Sequence, residues 1–411
     1  MTTFEAPKGT HDILPAEQPL WRLVTGEAQR LCSLYGYRPI QTPAFEDTAL
    51  FQRTSGAGSD VVQKEMYTFE DRGGRSLTLR PEGTAPIARA YLAHGLHREA
   101  QPVKLYTIAS MFRYSAPQRG RYREHWQLSV EAIGSADPAI DAELIQLYDE
   151  LLARLGITKY ELQLNSIGDE SCRPQYLEEL TAWLDEHEDV LDDDARQKRA
   201  TNPLRVFDVK SERVQAALAE APKIGDSLCD ACREHFDAVK AHLENYGVRF
   251  TLTPTLVRGL DYYTRTAFEF VDEAIGAQTS ICGGGRYDGL IAELGGAPTP
   301  GIGFGAGIER LLLSLDEEGV KPDPEELDVF VALQDADSKS RVLPLVQELR
   351  RRGLSAEVDY AGRSLKGQLT HARRLGAKAI VEWGPEQSSV RRPGREDEQV
   401  PTAELADRLR G

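Results

Sequence analysis

The sequence predicts an α+β protein built on an antiparallel sheet, with a helical insertion in that sheet domain and a small α/β domain after it. Three observations carry this. Through the first 165 residues strand-like alternation and helical periodicity are interleaved as hairpins and helices, an order that suits antiparallel pairing better than a doubly wound sheet. Between residues 166 and 246 the apolar spacing is almost wholly helical. From residue 328 onward strands and helices alternate in short units, as in a small parallel or mixed sheet.

In the first part, residues 1–165, PLWRLVTGEAQRLCSLYG and PAIDAELIQLYDELLARLG repeat apolar residues at helical spacing. VKLYTIASMFRY and REHWQLSVEAIG alternate as strands, and Leu105–Arg113 is expected to pair with Glu124–Ile133 through the loop YSAPQRGRYR. The insertion contains PQYLEELTAWLDEH, SERVQAALAEA and CREHFDAVKAHLENYG, all with helical periodicity. Its flanks, YELQLNSIG and VRFTLTPTLVRGLDYYTRTAFEFV, read as strands of one sheet, so the core resumes over residues 247–315. DEEGVKPDPEEL, residues 316–327, is rich in acid, proline and glycine and reads as a linker. LDVFVAL, LSAEVDY and AKAIVEW are then strands separated by two helices, in a final domain spanning residues 328–411.

Bulk properties narrow the function classes. The chain of 411 residues carries a net charge of −16 and five widely scattered cysteines. An odd number of unclustered cysteines fits a reducing compartment and no disulfide framework. The opening MTTFEAPKGTHDILP has no apolar run and no later stretch approaches a membrane span, so a cytoplasmic protein without a membrane partner is expected. The acidity argues against non-specific nucleic-acid binding, but the charge is segregated. Residues 339–411 hold about 15 Lys and Arg against about 10 Asp and Glu, so this end can meet a polyanion on its own.

Several segments have the residue types that chemistry needs. In GIGFGAGIERLLLSL, Gly301, Gly303, Gly305 and Gly307 occupy alternate positions, so one strand face lacks side chains while Ile302, Phe304 and Ala306 fill the other. The bare face suits a flat ligand laid on the backbone, with Arg310 stacking from the next helix; a tight backbone contact is the alternative. The GxGxxA match here follows a turn, not a strand, which disfavours a dinucleotide fingerprint, and CGGGRYDGL lacks the Gly-Lys-Ser/Thr of a phosphate loop. In the hairpin, Arg113, Gln127 and Glu131 form either a polar pocket wall or a solvated sheet face, and Arg119, Arg121 and Arg123 either a phosphate clamp or a basic turn. SLTLRPEGTAP sets Glu82, Gly83 and Thr84 in what is also an ordinary helix entry. CDACREH supplies at most three metal ligands, Cys229, Cys232 and His235, with no second pair at metal spacing, so packing cysteines and no metal are expected. VRGLDYYTRTAFEF, Val257 to Phe270, alternates like a strand yet carries Arg258, Tyr262 and Tyr263.

Together these segments resemble the histidyl-tRNA synthetases, a branch of the class II aminoacyl-tRNA synthetases, over essentially the whole chain. KGTHDILP resembles the opening signature of that family, GYRPIQTPAFEDTALFQRTSG its motif 1 with Pro43 at a dimer interface, the Phe112–Arg113 hairpin its motif 2, and GIGFGAGIERLLLSL its motif 3. RGLDYYT and GGGRYDGL resemble the pair that marks the histidyl branch, and the last domain resembles an anticodon-binding domain. The resemblance implies a cytoplasmic homodimer that activates L-histidine with ATP and Mg2+ and transfers it to tRNA(His). It implies that Arg258 and Arg113 act on the α-phosphate, and that Arg113, Arg121, Arg123, Gly305 and Arg310 bind ATP. Glu82, Gly83, Thr84, Gln127, Glu131, Tyr262, Tyr263 and Tyr287 would then hold histidine. In motif 2, Ser115 and Ala116 stand where the family usually has Glu and Arg. A regulatory paralogue, the subunit of ATP phosphoribosyltransferase that resembles this catalytic domain, would lack the last domain.

Overall fold

The computed structural model describes residues 4–321 and 326–410, except 55, 57, 58, 60, 277 and 278. Residue 55, at the end of the motif 1 stretch, and residues 322–325, within the expected linker, lie outside the described residues. The chain divides into two compact units, Met1–Pro322 and Asp323–Gly411.

In the first unit, α1 (Gln18–Leu34) leads to the short strand β1 (Arg38–Pro39). A small antiparallel sheet of β2 (Phe45–Asp47), β3 (Tyr67–Glu70) and β4 (Ser76–Leu79) carries α2 (Thr48–Thr54) beside it. Then come α3 (Thr84–Ala93), the hairpin β5 (Val103–Phe112) and β6 (Glu124–Ile133), α4 (Pro138–Leu155) and β7 (Glu161–Ser166). The insertion supplies α5 (Arg173–Glu186), α6 (Asp193–Thr201), α7 (Glu212–Leu218) and α8 (Asp230–Tyr246). The core resumes with β8 (Thr251–Leu252), β9 (Thr264–Val271), β10 (Ser280–Arg286), α9 (Leu290–Glu293), β11 (Gly301–Gly307) and α10 (Ile308–Glu317).

Among the described residues eight strands form the main sheet in the order β1-β5-β6-β11-β10-β9-β7-β8, antiparallel except where β1 joins β5 and β8 joins β7. Its two faces do different work. Leu128, Val130, Ile302, Phe304, Phe268 and Phe270 face α1, α4, α10 and the end of α8 in one apolar core. The opposite face meets Ile87 and Tyr91 of α3 and the rings of Tyr262, Tyr263 and Tyr287. Period-2 alternation along β6 produces this split directly. Helix α4 follows its sequence signals: Asp137 caps it by accepting from the Ala139 amide (2.9 Å), and Gly156 ends it at φ +77°. The insertion has its own core, including Tyr176, Leu180, Leu204, Phe207 and Cys232.

One expected strand is shorter than its sequence pattern. Residues Val257–Tyr263 are not strand; β9 begins only at Thr264, just before Arg265 at φ +50°. The preceding loop turns back so that Arg258 and Tyr263 lie across Gly283 and Gly285 of β10. A straight strand could not bring both side chains over its neighbour.

The second unit is a mixed sheet, β12 (Val329–Leu333), β13 (Ala356–Val358), β14 (Ala379–Trp383), β15 (Gln387–Arg391) and β16 (Glu398–Pro401), ordered β13-β12-β14-β15-β16. It carries α11 (Lys339–Arg351), α12 (Leu365–Arg374) and α13 (Leu405–Arg408). The two C-terminal strands add an antiparallel edge.

At the heart of the first unit Arg286 and Asp141 pair at 2.8 Å with neither side chain exposed. Arg286 also donates to Asp288 (2.9 Å) and the Ser135 carbonyl (3.0 Å), while Asp141 accepts from Thr266 (2.6 Å). Breaking a buried pair leaves one charge uncompensated. Arg286→Met is expected to cost about 3–5 kcal/mol in urea unfolding. The double variant Arg286→Met with Asp141→Leu, which removes both charges, is expected to lose less.

Candidate active site

A cavity of about 490 Å3 opens on the α3 side of the main sheet. Six cations line it, Arg113, Arg121, Lys198, Arg205, Arg258 and Arg310, against four carboxylates, Glu82, Asp208, Glu269 and Glu309. In a chain of net charge −16 this local excess of positive charge suits a polyanion such as a nucleotide phosphate.

The alternate glycines explain how polar groups fit against the sheet. A Cβ on Gly303 would stand 1.7 Å from Glu131 Oε2, one on Gly305 2.5 Å from Gln127 Nε2, and one on Gly301 2.2 Å from the Tyr287 ring. On β10, a Cβ on Gly283 would meet an Arg258 terminal nitrogen at 2.0 Å and one on Gly285 the Tyr263 ring at 2.9 Å. The side-chain-free face is thus largely covered by neighbouring side chains of the protein. Only Gly305 and Gly307 of β11 line the cavity, so the surface open to a flat ligand is smaller than the sequence period implies.

The amino-acid end is a closed hydrogen-bond array. Glu82 lies in the turn before α3 and accepts from the amides of Thr84 (2.6 Å) and Ala85 (2.9 Å), so it serves both as helix entry and as cavity wall. Gly83 between them is required by close approach, since a Cβ there would sit 2.3 Å from Ser129 Oγ. The Thr84 hydroxyl donates to Glu131 Oε1 (2.7 Å) and the Tyr287 hydroxyl to Glu131 Oε2 (2.6 Å). Burial pushes the Glu131 carboxyl up to about 8, against the pull of those two hydroxyls. Tyr262 packs on Tyr263 with ring centroids 4.6 Å apart and edge-on to Tyr287 at 5.9 Å. Gln127 donates to Ser129 (2.9 Å) beside them.

The cationic end has three arginines fixed by different means. Arg113 Nε donates to the Pro81 carbonyl (2.8 Å). Arg310 donates to the carbonyls of Gly120 (2.9 Å) and Ser280. Arg258 stands 3.3 Å from Glu269 and 5.8 Å from the centre of the Tyr263 ring. Burial opposes its charge, but Glu269, Tyr263 and Asp208 outweigh that and keep it protonated. Its buried Nε has no hydrogen-bond partner among the described residues, which leaves a donor for a ligand.

Not every expected residue faces the cavity. Glu131 and Tyr287 lie behind its wall, with Thr84 and Tyr263 as the surfaces in front. Of the alternating arginines only Arg121 lines it, held by Glu65 at 2.6 Å. Arg123 instead stacks 3.9 Å from the Tyr114 ring centre and donates to the Ser115 carbonyl, and Arg119 pairs with Glu317 at 3.0 Å. Stacking on an aromatic face satisfies Arg123 away from the site. Ser115 does line the cavity, its buried Oγ without a partner among the described residues.

Sequence reasoning missed other members. Glu309, pushed up to about 7 by burial, accepts from the Trp126 amide at 2.9 and 3.0 Å through its two oxygens. His125 is pulled down to about 3 by burial and by Arg113 and Arg310, so it stays neutral. Lys198, Arg205 and Asp208 reach in from the insertion, for which no motif gave a signal. His235 does not join Cys229 and Cys232. Its Nε2 lies 3.6 Å from Asp141, and Cys172 and Asp169 approach the cysteine pair instead.

Glu131 gives a signed pH test. Its folded value of about 8 exceeds the ordinary 4.5, so across that interval the folded chain keeps a proton that the unfolded chain has lost. The contribution of this carboxyl to stability is present below the lower value and is lost as pH rises to the upper one. The difference in unfolding midpoint between Glu131→Gln and the parent chain is expected to shift in favour of the variant from pH 5 to about 8 and then level off.

Comparison with known proteins identifies the family. Residues 9–311 match the family described as histidyl-tRNA synthetase, and residues 328–411 the anticodon binding domain. Histidine–tRNA ligase of Moorella thermoacetica is 49% identical over 411 residues, covering 98% of this chain and 97% of that protein. The ligase of Caldanaerobacter subterraneus subsp. tengcongensis is 48% identical over 384 residues, 93% and 92% of the two chains. The crystal structure of apo S. aureus histidyl-tRNA synthetase superposes with a TM-score of 0.85 at 36% identity, covering all of both chains. With its arginine-lined cavity behind the RGLDYYT loop and relatives matched from end to end, the chain belongs to the histidyl-tRNA synthetase family.

Proposed function

We propose that the cavity condenses L-histidine with ATP to histidyl-adenylate, releasing pyrophosphate, and that the histidine is then passed to the 3′ end of tRNA(His). The observation that carries this reading is Arg258, a buried guanidinium with an orphaned Nε, in one cavity with Arg113 and Arg310.

Attack of the histidine carboxylate on the α-phosphorus brings two anions together and builds charge on the phosphoryl oxygens. Fixed donors aimed there lower the barrier without reorganising in the reaction. Arg258 and Arg113 take that role, and a guanidinium does so better than an ammonium because it can bind two oxygens at once. Arg310 and Arg121 hold the remaining phosphates and the base, with Gly305 letting the ligand approach the backbone. Arg123 has less support as an ATP contact because it stacks on Tyr114. Magnesium enters as the ion that ATP carries, bound chiefly through phosphates and water. Glu82 and Glu309 already accept backbone amides, so no step is assigned to a cage of carboxylates.

Histidine selection follows from the other end. Glu82 and Thr84 form the α-amino site with Gln127, Gly83 giving the turn its close approach; Tyr262 and Tyr263 face the imidazole, and Tyr287 and Glu131 back that wall. The Thr84 and Tyr287 hydroxyls engage the two Glu131 oxygens, which holds the wall behind that ring in place. An apolar side chain in this pocket would leave buried polar groups unpaired, a penalty of about 10⁴–10⁵ in discrimination.

Residues 328–411 are the tRNA-reading domain in this proposal, supported by the match to anticodon binding domains and by the basic groove of Arg363, Lys366, His371 and Arg374 along α12. A homodimer is proposed through the motif 1 region, where Phe45 and Phe69 pack edge-on at 6.2 Å and remain about half exposed near Pro43. Cytoplasmic location fits five free cysteines and the lack, among the described residues, of a helix long and apolar enough to cross a membrane.

Two measurements test the reading. Arg258→Ala is expected to keep the fold and ATP binding but lower histidine-dependent pyrophosphate exchange at least about a hundredfold; near-normal exchange removes Arg258 from the mechanism. Deletion of the residues after Leu327 is expected to spare that exchange while abolishing charging of tRNA. Equal loss of both contradicts the division of labour, and absence of exchange in the full chain favours the regulatory paralogue.

A further inference from the structure

Outside the cavity, one cluster joins segments far apart in the sequence. Asp169 and Cys172 lie just after β7, where the chain enters the insertion. Cys229 and Cys232 lie at the start of α8, where it turns back toward the core. One ligand atom from each comes within 4.8 Å of the other three. We propose that these four residues bind a structural Zn2+ ion that fastens the base of the helical insertion.

The spacing supports a tetrahedral site. With Zn–S bonds of about 2.3 Å, the edge of an S4 tetrahedron is about 3.8 Å. The Cys172 and Cys232 sulfurs are 3.9 Å apart, and Cys172 Sγ is 3.8 Å from Asp169 Oδ1. Three sulfurs and one carboxylate suit zinc rather than calcium or magnesium, which prefer all-oxygen sets.

The surroundings are those of a built site. Asp169 offers Oδ1 to the cluster while Oδ2 accepts from Arg265 Nε (3.2 Å) and a terminal nitrogen (3.1 Å), which orients the carboxylate as an outer-shell partner does. Cys229 is the residue immediately before the 17-residue helix α8, whose N-terminal dipole favours a thiolate. Gly168 at φ +62° is needed where it stands, because a Cβ would lie 2.8 Å from Cys172 Sγ. Binding releases one proton from each of three thiols to solvent and leaves a site of net charge −2. Arg265 and the neighbouring Arg173 offset that charge.

The ion has a route to the active site. Arg173, next to Cys172, donates to the carbonyls of Gly168 (2.9 Å) and Tyr263 (2.8 Å), and Arg265, the second residue of β9, lies two residues after Tyr263. Metal at the base of the insertion would hold Tyr263 in place and set the height of Lys198, Arg205 and Asp208 over the cavity.

The test uses the full chain, expressed in zinc-supplemented medium and purified under reducing conditions without chelator. Elemental analysis is expected to find about one zinc per chain, released by a mercurial thiol reagent. Cys232→Ser and Asp169→Asn are expected to lose most of that zinc, whereas Cys32→Ser, remote in the main core, is expected to keep it. If the Cys232 variant fails to fold, Co2+ added anaerobically to metal-stripped parent chain decides: a saturable thiolate-to-cobalt charge-transfer band at one equivalent supports the site. Zinc below about one tenth per chain together with no such band overturns the proposal. So does zinc content unchanged in the Cys232 and Asp169 variants, or a Cys172–Cys232 disulfide in chain alkylated directly from reducing lysate.

Discussion

The fold is organised around a charge pair that water never reaches. Taking two ions out of solvent costs several kcal/mol each, and only dense hydrogen bonding can offset it. Arg286 and Asp141 achieve this by drawing on four segments: the end of β10, the start of α4, the Ser135 carbonyl before α4, and Thr266 of β9. The pair therefore fixes where the glycine strand ends relative to its neighbours. Tyr287 follows Arg286 directly, so the hydroxyl that orients Glu131 is placed by the same anchor. An apolar contact would hold these segments together but would not specify their register so narrowly.

From that anchor outward, the site is a problem of fitting polar groups onto a flat sheet. Strands β10 and β11 give up their side chains on one face, at a cost in conformational entropy, and the vacated volume takes Glu131, Gln127, Arg258 and Tyr263. Because these groups lie close against backbone and are tied to neighbours such as Thr84, Tyr287 and Ser129, their freedom to relax is small. Preorganisation of donors and acceptors follows from the packing. The insertion completes the enclosure with Lys198, Arg205 and Asp208, so a surface remote in sequence contributes to the electrostatics of the cavity.

What the sequence revealed and what it hid divide along physical lines. The two faces of β6 were legible because alternation records which side of a sheet is buried, and α4 was legible from its aspartate cap and terminal glycine. The glycine period announced a bare face but not its occupants, since nothing local in GIGFGAG says that Glu131 and Tyr287 will cover it. The course of Val257–Tyr263 was misread as strand because alternating polarity also occurs where a loop crosses a strand at close quarters. Arg121 and Arg123 are equivalent in the sequence pattern. Glu65, which pairs with Arg121, and the Tyr114 ring, on which Arg123 stacks, separate them. The partners of Cys229 and Cys232 lie about 60 residues upstream, beyond any spacing rule.

The close packing at Gly303 also limits how this strand can change over generations. With a carboxylate oxygen 1.7 Å from where a methyl group would have to go, no other residue is accommodated at 303 while the long acid stands opposite. Shortening position 131 would not by itself open the space, because the Val130 carbonyl oxygen would still stand 2.8 Å from that methyl, and it would discard the group that Thr84 and Tyr287 are arranged to hold. The strand thus stays bare at 303 whatever stands at 131, and the backbone itself preserves the shape of this part of the pocket wall.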